Sequence, residues 1–247
     1  MPRFKITVEY FGKNYCGWQI QAGCPTAQGA IMDALKQLFK VHIMVQGAGR
    51  TDSGVHATGQ VAHFDVDTTM SANKIREALN HFLYHEDVSI LDCAQVSDNF
   101  HARFCATSRH YLYRISNRRA PLTFQRDIVW HAGYKLDAQK MHDAGQVLVG
   151  THDFTTFRSA VATNQQPIRT LDYVNVTDMG DEIHVRCGAK SFLHNQVRYI
   201  TGALLRVGYG KWTDADVQHC LDVKDRNQGG PLAPPHGLYL TEVKYTP

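Results

Sequence analysis

The chain has 247 residues, 43% of them hydrophobic, and 26 Lys and Arg against 23 Asp and Glu, a net charge of +3. That length suits one large domain or two small ones sharing a core, and the composition is that of an ordinary globular protein. The charge is too weak to announce a nucleic-acid partner by itself, and no apolar run approaches the ~20 residues of a membrane span.

The opening residues alternate at once, with Phe4, Ile6, Val8 and Tyr10 against Lys5, Thr7 and Glu9. This predicts a strand over 3–10 and not a signal peptide, which makes the cytoplasm the expected compartment. Thr26 is placed to cap a helix to about residue 39, with Ala30, Ile31, Ala34, Leu35 and Leu38 on one stripe. Strands are expected near 43–48 and 60–66. Ser71 is placed to cap a second helix, with Ile75, Ala78, Leu79 and Phe82 inward, and 88–94 reads as a strand.

The second half repeats the pattern. Residues 109–116 alternate as a strand. Asp137 is placed to cap a helix to about 149, with Leu136 and Met141 as a hydrophobic staple. Strands follow near 171–177 and 182–189, then a long helix over about 192–207, a short one after Thr213, and a closing strand over 237–245. Each half therefore reads as β-α-β-β-α-β, the split βαβ order of ferredoxin-like units. The expected fold class is α+β: two such halves, residues 1–107 and 108–247, with mixed, mainly antiparallel sheets meeting at a central basic cleft.

Charge is distributed unevenly. From Asn99 to Gln125 there is no acidic residue, while Arg103, Arg109, Arg114, Arg118, Arg119 and Arg126 alternate with Phe100, Phe104, Tyr111, Tyr113 and Phe124. Guanidinium groups suit phosphate and aromatic rings suit unstacked bases, so this stretch points to RNA. The six cysteines are scattered without a Cys-x-x-Cys pair, so zinc-ribbon and thioredoxin readings fail. Reduced, packing thiols are expected. The 14 histidines form no convincing metal set. His81 and His85 sit four apart, but with no third ligand in view.

The most informative segment is Gly49-Arg50-Thr51-Asp52-Ser53-Gly54-Val55-His56-Ala57. An acid beside a guanidinium, between glycines and between two strands, makes a loop able to bend sharply and expose a side chain. It resembles the catalytic loop of the bacterial tRNA pseudouridine synthase A family, Gly-Arg-Thr-Asp-x-Gly-Val-His-Ala, with Ser53 where Ala is usual. Further matches follow in family order. They are Glu9-Tyr10-Phe11-Gly12, Gly17-Trp18-Gln19, Thr26-Ala27-Gln28-Gly29, Phe100-His101-Ala102-Arg103-Phe104, Arg109-His110-Tyr111-Leu112-Tyr113, the run 150–157, Phe192-Leu193-His194-Asn195-Gln196-Val197-Arg198, and Gly237-Leu238-Tyr239-Leu240. Gln196 departs from the common His-x-Met-Val-Arg, a change expected to affect packing more than chemistry.

The resemblance implies the pseudouridine synthase fold and a cofactor-free, metal-free tRNA pseudouridine synthase acting on uridines 38–40 of the anticodon stem-loop, working as a homodimer. It implies Asp52 as nucleophile, attacking either C6 of the ring or C1′ of the sugar. Arg198, in the second turn of the long helix, would pair with Asp52 and keep it ionised. Tyr111 would be catalytic, stacking on the extruded base while its hydroxyl helps move the C5 proton, and Leu238 would give the site a dry floor. Arg50 would fill the space the flipped base leaves. Phe100, His101, Ala102, Arg103 and Phe104 would touch tRNA, as would the segment Val161, Ala162, Thr163, Asn164 and Gln165.

Two rivals remain at this stage. Asp52-Ser53-Gly54 matches an aspartic-protease triplet, but such enzymes need two aspartates sharing a proton, and the chain has one such triplet, preceded by Arg50 and Thr51 where apolar residues are expected. A non-catalytic tRNA binder or chaperone would use the basic aromatic stretch equally well. Asp52, Arg198 and Tyr111 together argue for an enzyme.

Overall fold

The computed structural model describes residues 1–159 and 166–246. Its contacts fall into two compact units, one of Met1–Thr107 with Tyr239–Pro247 and one of Ser108–Leu238. Both are α+β with mainly antiparallel strands.

In the first unit β1 (Arg3–Tyr10), α1 (Ala27–Phe39), β2 (Gln46–Gly47), β3 (His56–Asp65), α2 (Ala72–Phe82) and β4 (Val88–Val96) give the β-α-β-β-α-β order. β1 is central, antiparallel to β3 on one side and β4 on the other. β2 runs antiparallel to β3 through Gln46↔His63 and Gly47↔Ala62. The order β4-β1-β3-β2 is that of a ferredoxin-like unit. The alternation in β1 buries Phe4, Ile6, Val8 and Tyr10, and Ile31 and Leu35 of α1 and Ile75 and Leu79 of α2 are buried as well. Thr26 caps α1 by accepting the Gly29 N–H at 3.1 Å, whereas Ser71 precedes α2 without a side-chain cap bond.

β2 is much shorter than the strand expected over 43–48. Ile43 and Val45 are buried as anticipated, but the Val45 carbonyl accepts from the Gln28 side chain at 2.7 Å rather than from a strand. β3 in turn starts earlier than expected, at His56. The closing strand β10 (Leu238–Tyr245) pairs with this unit, Tyr239↔His56 and Leu240↔Ala57 in parallel.

In the second unit β5 (Ala106–Ser116), β9 (Glu182–Ala189), β8 (Ile168–Asp178) and β7 (Gly150–Asp153) lie side by side, each antiparallel to the next. The two-residue β6 (Trp130–His131) adds to β5 in parallel. Tyr113, Ile115, Val174, Ile183, Val185 and Cys187 form the buried face; α3 (Ala138–Gln146) packs on β8, and α4 (Gln196–Gly208) and α5 (Asp214–Val223) pack on α3. Asp137 caps α3 by accepting the Lys140 N–H at 3.0 Å, and Thr213 with Asp216 forms a capping box on α5. α4 starts at Gln196, not near residue 192, because Asn195 adopts the left-handed conformation at φ 63°, a state Asn tolerates and a helix does not propagate.

Candidate functional site

The loop carrying Asp52 enters from β2 and leaves into β3, and most of its backbone is fastened (Asp52 itself is partly buried). The Val55 N–H donates to the Asp52 carbonyl at 3.1 Å, closing a turn whose third residue, Gly54, has φ 79°, where glycine carries no steric cost. The Tyr15 carbonyl accepts the Gly54 N–H and the Ser53 hydroxyl, both at 3.3 Å. The Thr51 carbonyl accepts the Trp18 N–H at 3.2 Å, and the buried Thr51 hydroxyl meets the Tyr10 hydroxyl at 2.7 Å. At the entrance, the Gln60 side chain donates to the Gly49 carbonyl at 2.9 Å.

These partners give roles to the early segments. Gly12 lies so close to the Val55 carbonyl that a β-carbon there would overlap it, and Gly17, at φ 94°, stands likewise against the Thr51 carbonyl. Gly47 makes room for the buried Trp18 ring. Gln28 accepts the Ile20 N–H at 2.8 Å and donates to Val45, joining the α1 start to the loop's approach. His56 is stacked between Phe11 and Tyr239, with ring centroids 5.0 and 4.8 Å away. Sequence reasoning quoted several of these residues as matches and assigned them no task. The signal was the placement of Gly12 and Gly17 beside large aromatics, but their partner is some forty residues away. Arg50 is exposed on the same loop.

Still in the first unit, the 100–104 segment is held as tightly. Arg3 pairs with Asp65 through both carboxylate oxygens at 2.7 and 2.8 Å, and its Nη1 donates to the carbonyls of Asp98 and Phe100 at 2.6 and 2.7 Å. The Arg3 hydrogen bond holds the Asp65 carboxyl below its ordinary range. Tyr245 donates to the Ala102 carbonyl at 2.8 Å, and its ring lies 4.9 Å from that of Phe100. Ala102 is buried, whereas Arg103 and Phe104 face solvent, the guanidinium carbon 5.7 Å from the ring centroid. Of the five residues expected to touch RNA, Ala102 is therefore a structural anchor and Arg103 and Phe104 are the presented pair.

In the second unit Tyr111 stands on β5 edge-on to Phe192, with centroids 5.1 Å apart. Two residues on, Tyr113 is fully buried and donates to the Pro234 carbonyl at 2.6 Å. A β-carbon at Gly237 would collide with its ring. Arg109 of the same motif donates to the Lys190 carbonyl at 2.6 Å. Arg198 lies in the first turn of α4, not the second, since the helix starts later than expected. Its Nε donates to the Ala233 carbonyl at 2.7 Å and its Nη1 to Asn195 at 2.8 Å, which fixes the plane of the guanidinium. Leu238 is buried. The segment Val161–Gln165 lies outside the described residues.

A family model described as tRNA pseudouridine synthase matches residues 6–105 and 144–246. The tRNA pseudouridine synthase A of Maricaulis maris is 50% identical over 245 residues, 99% of this chain and 98% of that one. The protein of that name from Xanthobacter autotrophicus is 50% identical over 99% of this chain and 100% of its own length, and that of Afipia carboxidovorans is 48% identical over the same shares. A solved structure of a Cbf5-Nop10-Gar1 complex aligns with a TM-score of 0.38 at 13% identity, over 82% of this chain and 45% of that one, too distant a likeness to bear on the site.

Proposed function

Because the chain belongs to the tRNA pseudouridine synthase family, we propose that it isomerises uridine to pseudouridine at positions 38–40 of the tRNA anticodon stem-loop, with Asp52 as nucleophile. The reaction breaks the N1–C1′ bond, turns the base and rejoins it through C5. The C5 proton leaves and N1 gains one, so atoms balance within the nucleotide.

The observation that carries this reading is the fastening of the Asp52 loop. Partners from Tyr10, Gly12, Tyr15, Gly17, Trp18 and Gln60 surround it. A nucleophile must be aimed, and a misplacement of about 1 Å costs about 10²-fold in rate. A carboxylate held by its backbone can reach a reacting carbon without reorganising. Either route, addition at C6 or attack at C1′, needs that carboxylate ionised.

Arg198 is the cation proposed to keep it so, and its side-chain anchorage to Ala233 and Asn195 supports a fixed direction of charge. Tyr111 is proposed to stack on the flipped base, Leu238 to line a dry floor, and Arg50 to fill the vacated stack. Arg103 and Phe104, with the segment 161–165, are proposed as further tRNA contacts. No helix among the described residues is long and apolar enough to cross a membrane. Action as a homodimer in the cytoplasm is proposed from family resemblance alone.

The test is to incubate the protein with unmodified tRNA and map pseudouridine by base-resolved chemical labelling, beside Asp52→Asn. Signal at 38–40 that vanishes in the variant supports reaction, region and nucleophile together. Binding without turnover by the unaltered protein would leave a tRNA binder.

A further inference from the structure

His63 sits near the end of β3, 2% exposed, and no step of the reaction uses it. Its Nδ1 accepts the Ala102 N–H at 3.2 Å, and Gln46, on the strand entering the Asp52 loop, stands opposite His63 in the β2–β3 ladder. A neutral ring that accepts at Nδ1 carries its proton on Nε2, a single tautomer. Burial, then His101 and Arg3 nearby, lower its pKa to about 4, so the neutral form persists at physiological pH.

The next histidine extends the arrangement. His101 stands edge-on to His63 with centroids 4.7 Å apart, and its own Nδ1 accepts the N–H groups of Arg103 and Phe104 at 3.2 and 3.4 Å. Three consecutive backbone N–H groups, of residues 102 to 104, therefore end on two imidazole nitrogens. The same turn is gripped from the carbonyl side by Arg3 and Tyr245. What this frame presents outward is the Arg103 guanidinium beside the Phe104 ring, which is 75% exposed. An exposed ring beside a cation suits a base face and a phosphate at once.

We propose that His63 is a positioning residue for RNA. It bridges the strand entering the Asp52 loop to the turn bearing Arg103 and Phe104, so that the RNA-contacting pair keeps a set distance from the nucleophile's loop. This rests on the reading that residues 100–104 contact tRNA.

The test compares His63→Leu, His63→Asn, Arg103→Ala and the double variant His63→Leu with Arg103→Ala in steady-state turnover of unmodified tRNA. Leu removes the ring's hydrogen bond to Ala102 and keeps an apolar body. Asn places an oxygen where Nδ1 was. The expected result is a KM about tenfold higher for His63→Leu with kcat changed less than about threefold, most of it recovered in His63→Asn. The double variant should be little worse than Arg103→Ala alone, since both changes remove one contact.

A raised KM in Arg103→Ala with no change in His63→Leu would overturn the role of His63 and leave the RNA reading standing. No effect of Arg103→Ala would remove the RNA reading and this inference with it. Should His63→Leu fail to fold, nitrogen-15 spectra of the unaltered protein decide: an unprotonated Nδ1 on His63 and a slowly exchanging Ala102 amide support the bridge, and a protonated Nδ1 overturns it.

Discussion

The Gly12 N–H donates to Nδ1 of His56 at 2.9 Å. The bond joins the short turn after β1, opened by Gly12, to the first residue of β3, just beyond the Asp52 loop. It requires His56 to carry its proton on Nε2 if neutral, and it draws Gly12 against the Val55 carbonyl until no side chain fits between them. The loop is thus set by a glycine forty residues away.

Gly12→Ala tests that relationship. The new methyl group must push Val55, and Asp52 shares the turn with Val55. Turnover is expected to fall about 10²-fold or more, with tRNA affinity changed less than about threefold and a stability loss of about 1–3 kcal/mol from overpacking. Single-turnover rates and filter binding on one preparation check it. A variant with unaltered rate would show that the loop tolerates displacement.

Gln196 gives a stability prediction. It is 1% exposed, its Oε1 accepts the Leu193 N–H at 2.8 Å, and its Nε2 is buried with no hydrogen-bond partner. A buried amide group left unsatisfied costs about 1–3 kcal/mol, against about 1 kcal/mol for the bond it makes. Gln196→Met, the residue usual in the resembled motif, removes the orphaned amide but leaves the buried Leu193 N–H without its acceptor, at a similar cost of about 1–3 kcal/mol, so Tm should move by less than about 2 °C, without loss of activity. A larger fall in Tm would mean that the Leu193 bond outweighs the orphaned amide.

How much was legible in advance follows from how local each feature is. β1 and α1 were readable because a strand's alternation and a capping Thr26 lie in consecutive residues. The Asp52 loop was readable because its turn residues, Asp52 to Val55, are adjacent. The start of α4 was not, since apolar periodicity continues through Phe192 and Leu193 and only the left-handed backbone of Asn195 breaks it. Nor was the shortness of β2, where a glutamine from α1 takes the carbonyl a partner strand would have used. The cradle of Gly12, Tyr15, Gly17 and Trp18 and the role of His63 depend on contacts between distant segments, for which one sequence holds no period or spacing.

Acid should destabilise the protein through its buried histidines. The pKa of His63 is about 4 in the fold, by burial and then by His101 and Arg3, against about 6.5 in an unfolded chain. His101 is lowered too, by burial and then by Arg3. Between these values the unfolded chain binds more protons than the folded one, so stability rises with pH. It is complete above about pH 6.5 and is lost on acidification at up to about 1.4 kcal/mol per pH unit for His63, with a smaller share from the more exposed His101. Asp65, whose folded pKa is depressed chiefly by Arg3, acts in the same direction only below about pH 4. Urea midpoints at pH 7, 5.5 and 4.5 should fall in that order, and the fall should be shallower in His63→Asn. A flat profile would mean the imidazole is not desolvated as described.

Arg198 gives a prediction about shape rather than charge. Its Nε and Nη1 are both used, by Ala233 and Asn195, which aims the guanidinium as a planar fork. Lysine keeps the charge and cannot make that set of bonds. Arg198→Lys should lose about 10²-fold or more in kcat, close to Arg198→Ala, while tRNA binding changes less than about threefold. If Lys restored turnover, a nearby positive charge would be enough and the fixed direction would be irrelevant.

Arg103 and Phe104 should separate charge from stacking. Neutralising one phosphate contact lowers the dependence of log affinity on log salt by about 0.7–0.9, whereas losing one base stack weakens binding by about 1–3 kcal/mol at every salt concentration. Arg103→Ala is therefore expected to give a shallower salt slope and Phe104→Ala an unchanged slope with affinity down about tenfold. The guanidinium also lies 5.7 Å from the ring centroid, so the double variant should cost less than the two single losses combined. Parallel slopes for Arg103→Ala and the unaltered protein would take Arg103 out of the phosphate footprint and leave Phe104 as the contact on this turn.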